Sequence, residues 1–146
     1  MQTFAHDHSF GAPLVNTGTS KAGIWTGRVL SGLAAAFLVV DSIGKLMRVQ
    51  PVIEGTLSLG YPVSVIIPLG VTLLTCVIVY LVPRTAVLGA LLLTGYLGGA
   101  VATHVRVGHP MLSHALFPVY VAAMVWGGLI LRDRRLRAFL PLRRAE

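Results

Sequence analysis

Charge is scarce in this chain. Only 12% of its 146 residues are Asp, Glu, Lys or Arg, against about 25% in an average soluble domain. A soluble domain of this size has too little interior to hide the 55% of residues that are hydrophobic, because a small folded chain keeps much of its surface in water. The mean hydropathy of +0.78 agrees. An ordinary soluble globule, a disordered chain and a disulfide-stapled secreted module are all excluded, which leaves an integral membrane domain. Cysteine is nearly absent. Cys76 stands alone, so there is no internal disulfide and no pair of thiols for disulfide exchange, which needs an attacking and a resolving thiol. It sits in the apolar run Val71–Val82, where a thiol behaves as a small hydrophobe. The chain also lacks a P-loop, a dinucleotide-binding glycine fingerprint and a serine elbow, so no self-contained catalytic motif is present.

Acidic residues number five against twelve Lys and Arg. That surplus invites a nucleic-acid reading, but its placement argues against one. Six of the twelve are Arg132, Arg134, Arg135, Arg137, Arg143 and Arg144, in one tail, and the others stand singly between apolar runs. A basic end beside apolar spans is the pattern of a membrane protein with a cytoplasmic tail.

Four apolar segments are predicted to cross the membrane, at about residues 25–46, 63–82, 85–104 and 115–131. Each is close to the roughly 20 helical residues that a hydrocarbon core of about 30 Å requires. None alternates polar and apolar residues as a barrel strand does, and backbone groups in lipid must be satisfied within their own segment. The expected fold is therefore an all-α integral membrane four-helix bundle. Residues 1–22 form a mobile polar tail whose His6 and His8 are polar filler rather than a closed metal site; residues 23–132 form the bundle; residues 133–146 form a basic tail. Gln50–Gly60 reads as a short interfacial helix ending at the Gly60-Tyr61-Pro62 break. Pro68 is expected to bend the second span, and Pro118 to sit mildly in the first turn of the fourth. Four spans put both ends of the chain on one side, which then carries nine basic residues against three (Lys45, Arg48 and Arg106) on the other. The positive-inside rule places both termini in the cytoplasm.

With that orientation, the ionisable groups between the tails collect at the outer end, Arg84 excepted. Asp41 and Lys45, at i and i+4, share a helix face; Glu54, Tyr61, His104 and Arg106 emerge at the same level. Besides snorkelling of these side chains to the interface without partners, two readings stand side by side. Asp41–Lys45 and Glu54–Arg106 are ion pairs that close the bundle, or these residues form a polar mouth for a small ligand or a proton path, since charges near membrane depth mark such sites. His104, His109 and His114 are five apart, a spacing that does not place successive rings on one helix face, and no HxxxH pair is present; a haem or metal site is not expected. Gly95-xxx-Gly99 in the third span is a small-xxx-small motif. Close packing inside the chain's own bundle is the favoured reading, with dimerisation as the alternative.

Taken in order, Gly44-Lys45 at the end of span one, Glu54, Leu59-Gly60-Tyr61-Pro62, Pro83, Gly89-Ala90, and Ala102-Thr103-His104 followed by Gly108 and Pro110 resemble the DoxX-like family of small four-helix bacterial membrane proteins. The likeness covers about residues 27–132. It implies a multi-pass protein of the bacterial plasma membrane in a redox setting, because the family takes its name from a small subunit associated with a quinol oxidase or a thiosulfate:quinone oxidoreductase. A quinone is the cofactor class that this setting implies, and Lys45, Glu54, Tyr61, Pro62 and His104 are the family-like positions, none with a catalytic role attached. The functional expectation is an accessory subunit or a binder of a small lipophile; the rivals are an assembly factor packing on a membrane partner or a second copy of the chain, and a small proton-coupled carrier using Asp41, Lys45 and His104. The partner common to all three is the bilayer, not nucleic acid.

Overall fold

A computed structural model describes residues 21–110, 112, 116–133 and 136 of the protein. It is all-helical, with no strand among the described residues. Helix α1 spans Lys21–Leu46, α2 Gln50–Ser58, α3 Ile66–Leu81, α4 Ala86–Val107 and α5 Phe117–Arg132, with a single 3-10 turn at Val63–Val65 before α3. Three stretches are long and apolar enough to cross a membrane: Lys21–Leu46, Val63–Leu81 and Ala86–Val107. The 16-residue α5 is shorter, about 24 Å at 1.5 Å per residue. Helix α1 starts two residues before the expected boundary at residue 23, and α4 runs one turn past the expected end at residue 104. The tail before residue 21, His114, and all of the basic tail beyond Asp133 except Leu136 lie outside the described residues.

Each helix boundary has a local cause. Pro51 and Pro118 stand in the first turns of α2 and α5, where a missing N–H costs nothing because that group has no partner within the helix. Pro68, read from sequence as a bend within the second span, falls in the first turn of α3, which begins at Ile66 directly after the 3-10 turn, where its missing N–H removes no helical bond. Pro83 follows the end of α3, and the Thr85 hydroxyl donates to the Val79 carbonyl at 2.8 Å, which satisfies one of that helix's last carbonyls. Gly108, at φ 76°, closes α4 in the left-handed conformation that glycine adopts without penalty.

The four long helices form a ring in which α1 touches α3 and α5, and α4 touches the same two. Each sequential neighbour is antiparallel. Lipid offers no hydrophobic drive to bring helices together, so close packing at small residues has to do it. Three glycine seams show this. A Cβ on Gly27 would lie 2.8 Å from Leu131 Cβ, and one on Gly128 would collide with Ser31, so the start of α1 and the end of α5 are in contact. A Cβ on Gly89 would run into the backbone of Tyr80, which joins α3 to α4. One on Gly70 would lie 2.9 Å from Lys45 Cβ, which presses α3 against the end of α1. The core between the helices is filled by Leu38, Leu73, Val77, Leu93, Val125 and Leu129, all nearly inaccessible. Leu33, Val40, Val71, Ile78, Leu88 and Leu91 face outward, as the lipid-facing surface of a membrane bundle does.

The bundle thus has two unlike ends. The basal end holds the start of α1, the α3–α4 turn and the end of α5. The capped end holds the end of α1, the start of α3, the end of α4 and the start of α5, with α2 beside α1 and the 3-10 turn.

Candidate functional site

The basal half is closed by polar groups, all engaged through the Tyr80 hydroxyl except Arg132, whose Nη2 is buried with no hydrogen-bond partner among the described residues. Tyr80 is fully buried; its hydroxyl donates to the Val125 carbonyl at 3.0 Å and has Ser31 Oγ 2.9 Å away as its other neighbour. The Arg132 guanidinium stands 5.2 Å from the Tyr80 ring centre, a stacking arrangement that favours cations.

The capped half contains a cavity of about 650 Å³. Its walls come from all four long helices. Phe37 and Leu38 of α1, Leu69 of α3, Leu97 and Ala100 of α4, and Val121 of α5 supply apolar surface; Asp41, Lys45, Tyr61, Tyr96, Thr103 and His104 supply polar groups. Asp41 and Lys45 form the ion pair that their i, i+4 spacing predicts. The Lys45 side chain is 16% exposed and that of Asp41 33%. Gly70 sets this geometry, because only a residue without a side chain lets α3 approach so near to Lys45.

Tyr61 reaches the cavity through a sharp reversal. Gly60 adopts φ 78°, and the segment after it is tied to the end of α4 by two contacts: Tyr61 Oη lies 3.1 Å from Thr103 Oγ1, and Arg106 donates to the Leu59 carbonyl at 3.0 Å while standing 5.9 Å from the Tyr61 ring centre. Thr103 donates to the Gly99 carbonyl, so in the pair with Tyr61 it is the phenol that donates, and Tyr61 shows the cavity its lone pairs. Lys45 spends one N–H on Asp41 and has two more. No described residue hydrogen-bonds the hydroxyl of Tyr96, which also lines the cavity.

Of the six candidates, Asp41, Lys45, Tyr61 and His104 line the cavity, whereas Glu54 and Arg106 do not. The expected Glu54–Arg106 ion pair is not formed. Helix α2 turns Glu54 to its exposed face, where it accepts from Gln50 at 3.1 Å, and Arg106 is engaged with Leu59 and Tyr61 instead. His104 and His109 converge through folding and not along one helix face. Gly108 reverses the chain after α4, so His109 folds back on His104 with their Nδ1 atoms 3.0 Å apart. Among the described residues no third metal-ligating side chain joins them. Gly95 and Gly99 are corrected too. No described residue of another helix lies within 4 Å of a Cβ placed on either, so neither packs against a described helix of its own bundle; both line the cavity. Tyr96, Thr56 and Thr72 are polar cavity residues absent from the sequence-based candidates, Tyr96 because it sits within an apolar, glycine-rich span that looks like packing surface, and Thr103 appears there only within the family pattern.

This architecture meets a match in sequence. The family model for the DoxX-like family fits residues 29–128. The chain belongs to the DoxX-like family. It is accordingly a multi-pass integral membrane protein, as its long apolar helices require. The matched stretch begins near the start of α1 and ends in α5, so it contains every residue of the cavity. No curated protein and no solved structure matches the chain.

Proposed function

We propose that this DoxX-like protein binds a small lipophile of quinone type in the capped half of its bundle, as an accessory component of a redox system in the bacterial plasma membrane. The cavity carries the reading. Its volume of about 650 Å³ lies within the roughly 300–1,000 Å³ of small-molecule sites, which are mostly apolar with a few placed polar groups. Lys45 and Tyr96 offer donors to the oxygen of a ring carbonyl, Tyr61 offers an acceptor to a ring hydroxyl, and Asp41 holds the Lys45 ammonium in place. The nine-to-three distribution of basic residues supports an orientation with the termini in the cytoplasm and the capped end at the outer leaflet.

The test is extraction and chemical analysis of protein purified from its own membrane. Wild-type protein should retain a prenyl quinone at near-stoichiometric level. The paired variant Asp41→Asn/Lys45→Met should stay folded and retain about tenfold less or lower, since a hydrogen bond to a charged group contributes roughly 1.5–3 kcal/mol. A wild-type extract without quinone, and no response to added decylubiquinone, would overturn the reading.

A further inference from the structure

The cavity walls differ in how they are sealed. Between α1 and α5, at the capped end, Phe37 and Phe117 meet edge to face with ring centres 5.3 Å apart. Between α1 and α3, Gly70 brings the backbones together beside Lys45. Between α4 and α5, Trp126 donates to Thr94 at 2.9 Å. Between α3 and α4, the glycine seam among the described residues lies at the basal end, where Gly89 meets Tyr80. Farther along, the 3-10 turn and α3 present Val65, Pro68, Leu69 and Thr72, at i, i+3, i+4 and i+7, and α4 presents Gly95, Gly99 and Thr103, one stripe at i, i+4 and i+8. Thr103 is joined to Tyr61, just before α3, whereas Thr94 points to α5, so the glycine stripe lies on the α3 side. Pro68, Thr72, Gly95 and Gly99 line the cavity and are exposed. Phe37 and Phe117 also line it and are exposed, but their rings meet across the α1–α5 wall, whereas no described residue lies within 4 Å of a Cβ placed on Gly95 or Gly99, so nothing described covers the α3–α4 wall there.

We infer that the cavity opens sideways into the bilayer between α3 and α4, and that its ligand is an amphiphile whose polar head sits by Lys45, Tyr61 and Tyr96 and whose single linear apolar tail leaves over Gly95 and Gly99 into the lipid. This rests on the lipophile-binding reading and adds the route and the shape of the ligand. Glycine suits the route because any larger side chain at either position would stand in it. An apolar exit at the depth of Gly95, mid-way along α4, matches a tail and not a water-soluble substrate: such a substrate would have to cross hydrocarbon to reach the opening. Pro68 suits it too, since it places a rigid apolar ring without an N–H at the rim, leaving no backbone donor there to be stripped of water.

The test compares two probes, decylubiquinone and its tail-less dimethoxy-methyl-benzoquinone head, titrated against full-length protein in lipid nanodiscs. The variants are wild type, Gly95→Leu/Gly99→Leu and Gly98→Leu. Leucine at these exposed helical sites meets no neighbour within 4 Å at its Cβ and has a higher helix propensity than glycine, so all three chains should fold. In the double variant, decylubiquinone should bind about tenfold more weakly or worse, because the methylenes of its tail lose their apolar bed, while the head alone binds as to wild type. Gly98→Leu, off the cavity, should change neither. Equal affinities of wild type and the double variant for both probes, or equal weakening of both, would overturn the sideways exit while leaving the lipophile site standing. Failure of both probes to bind wild type would overturn the site and the exit together.

Discussion

The two halves of the bundle draw on the same few residue types and can put them to opposite uses. In the basal half, Gly27, Gly89 and Gly128 each lie where a Cβ would strike a neighbouring helix, and the buried hydroxyl of Tyr80 is fully engaged. In the capped half, Gly70 still closes α3 against Lys45, but no described residue lies within 4 Å of a Cβ placed on Gly95 or Gly99, and Tyr96 lines a cavity. Small residues in a membrane helix therefore have no single meaning. What decides is whether another helix stands opposite, and that depends on the rotation of the helix about its axis.

The sharpest way to break this contrast is to fill one glycine from each half. Gly89→Leu should cost more than roughly 3 kcal/mol and yield aggregated protein in detergent, because the obstructing atoms are the Tyr80 backbone and cannot move aside. Gly95→Leu should be monodisperse with a melting temperature at or above that of wild type. Equal damage from both would erase the distinction.

Next in size is the ion pair. Lys45→Met alone strands the Asp41 carboxylate in a half-buried site and should cost roughly 1–3 kcal/mol, less than a fully buried pair because the cavity admits some solvation. Asp41→Asn/Lys45→Met should recover most of that stability while losing ligand, since desolvation offsets much of the attraction in such pairs. Thermal unfolding of the two variants side by side checks this. A double variant no more stable than the single would mean that the pair holds the bundle together.

Tyr80→Phe should then lower stability by about 1–2 kcal/mol, since the Val125 carbonyl and Ser31 stay buried without their partner. Tyr96→Phe is the smallest change. Its hydroxyl has no hydrogen bond among the described residues, so stability should move by less than about 0.5 kcal/mol. Decylubiquinone affinity should fall about three- to tenfold, the ordinary worth of one neutral hydrogen bond. If Tyr96→Phe destabilises as much as Tyr80→Phe, the two halves are not different in kind.

Much of this was legible in the sequence. Apolar runs of near-spanning length mark the four long helices, Gln50–Gly60 with its Gly60-Tyr61-Pro62 break marks α2, and the i, i+4 spacing of Asp41 and Lys45 places them together. Periodicity says which residues share a face, and these features need nothing more. Which face meets which helix is a long-range property, and there the reading failed. Gly95 and Gly99 carry the same motif whether they are covered or bare. Glu54 and Arg106 have opposite charges at one level of the bundle, yet α2 turns one outward and the Leu59 carbonyl takes the other. Five residues separate His104 from His109, and only the left-handed turn at Gly108 brings them into contact. A helical spacing rule cannot see past the end of the helix.

Photolabelling tests the central claim most directly. Wild-type protein in native membranes would be irradiated with an azido-substituted ubiquinone analogue, competed with decylubiquinone, and the labelled peptides identified by mass spectrometry. The account predicts competable labelling within residues 61–72 and 95–104, the stretches of α3 and α4 that line the cavity and its sideways opening. Labelling confined to residues 27–34, 80–90 or 125–132 of the basal half, or spread evenly over the lipid-facing surface and indifferent to competitor, would contradict it.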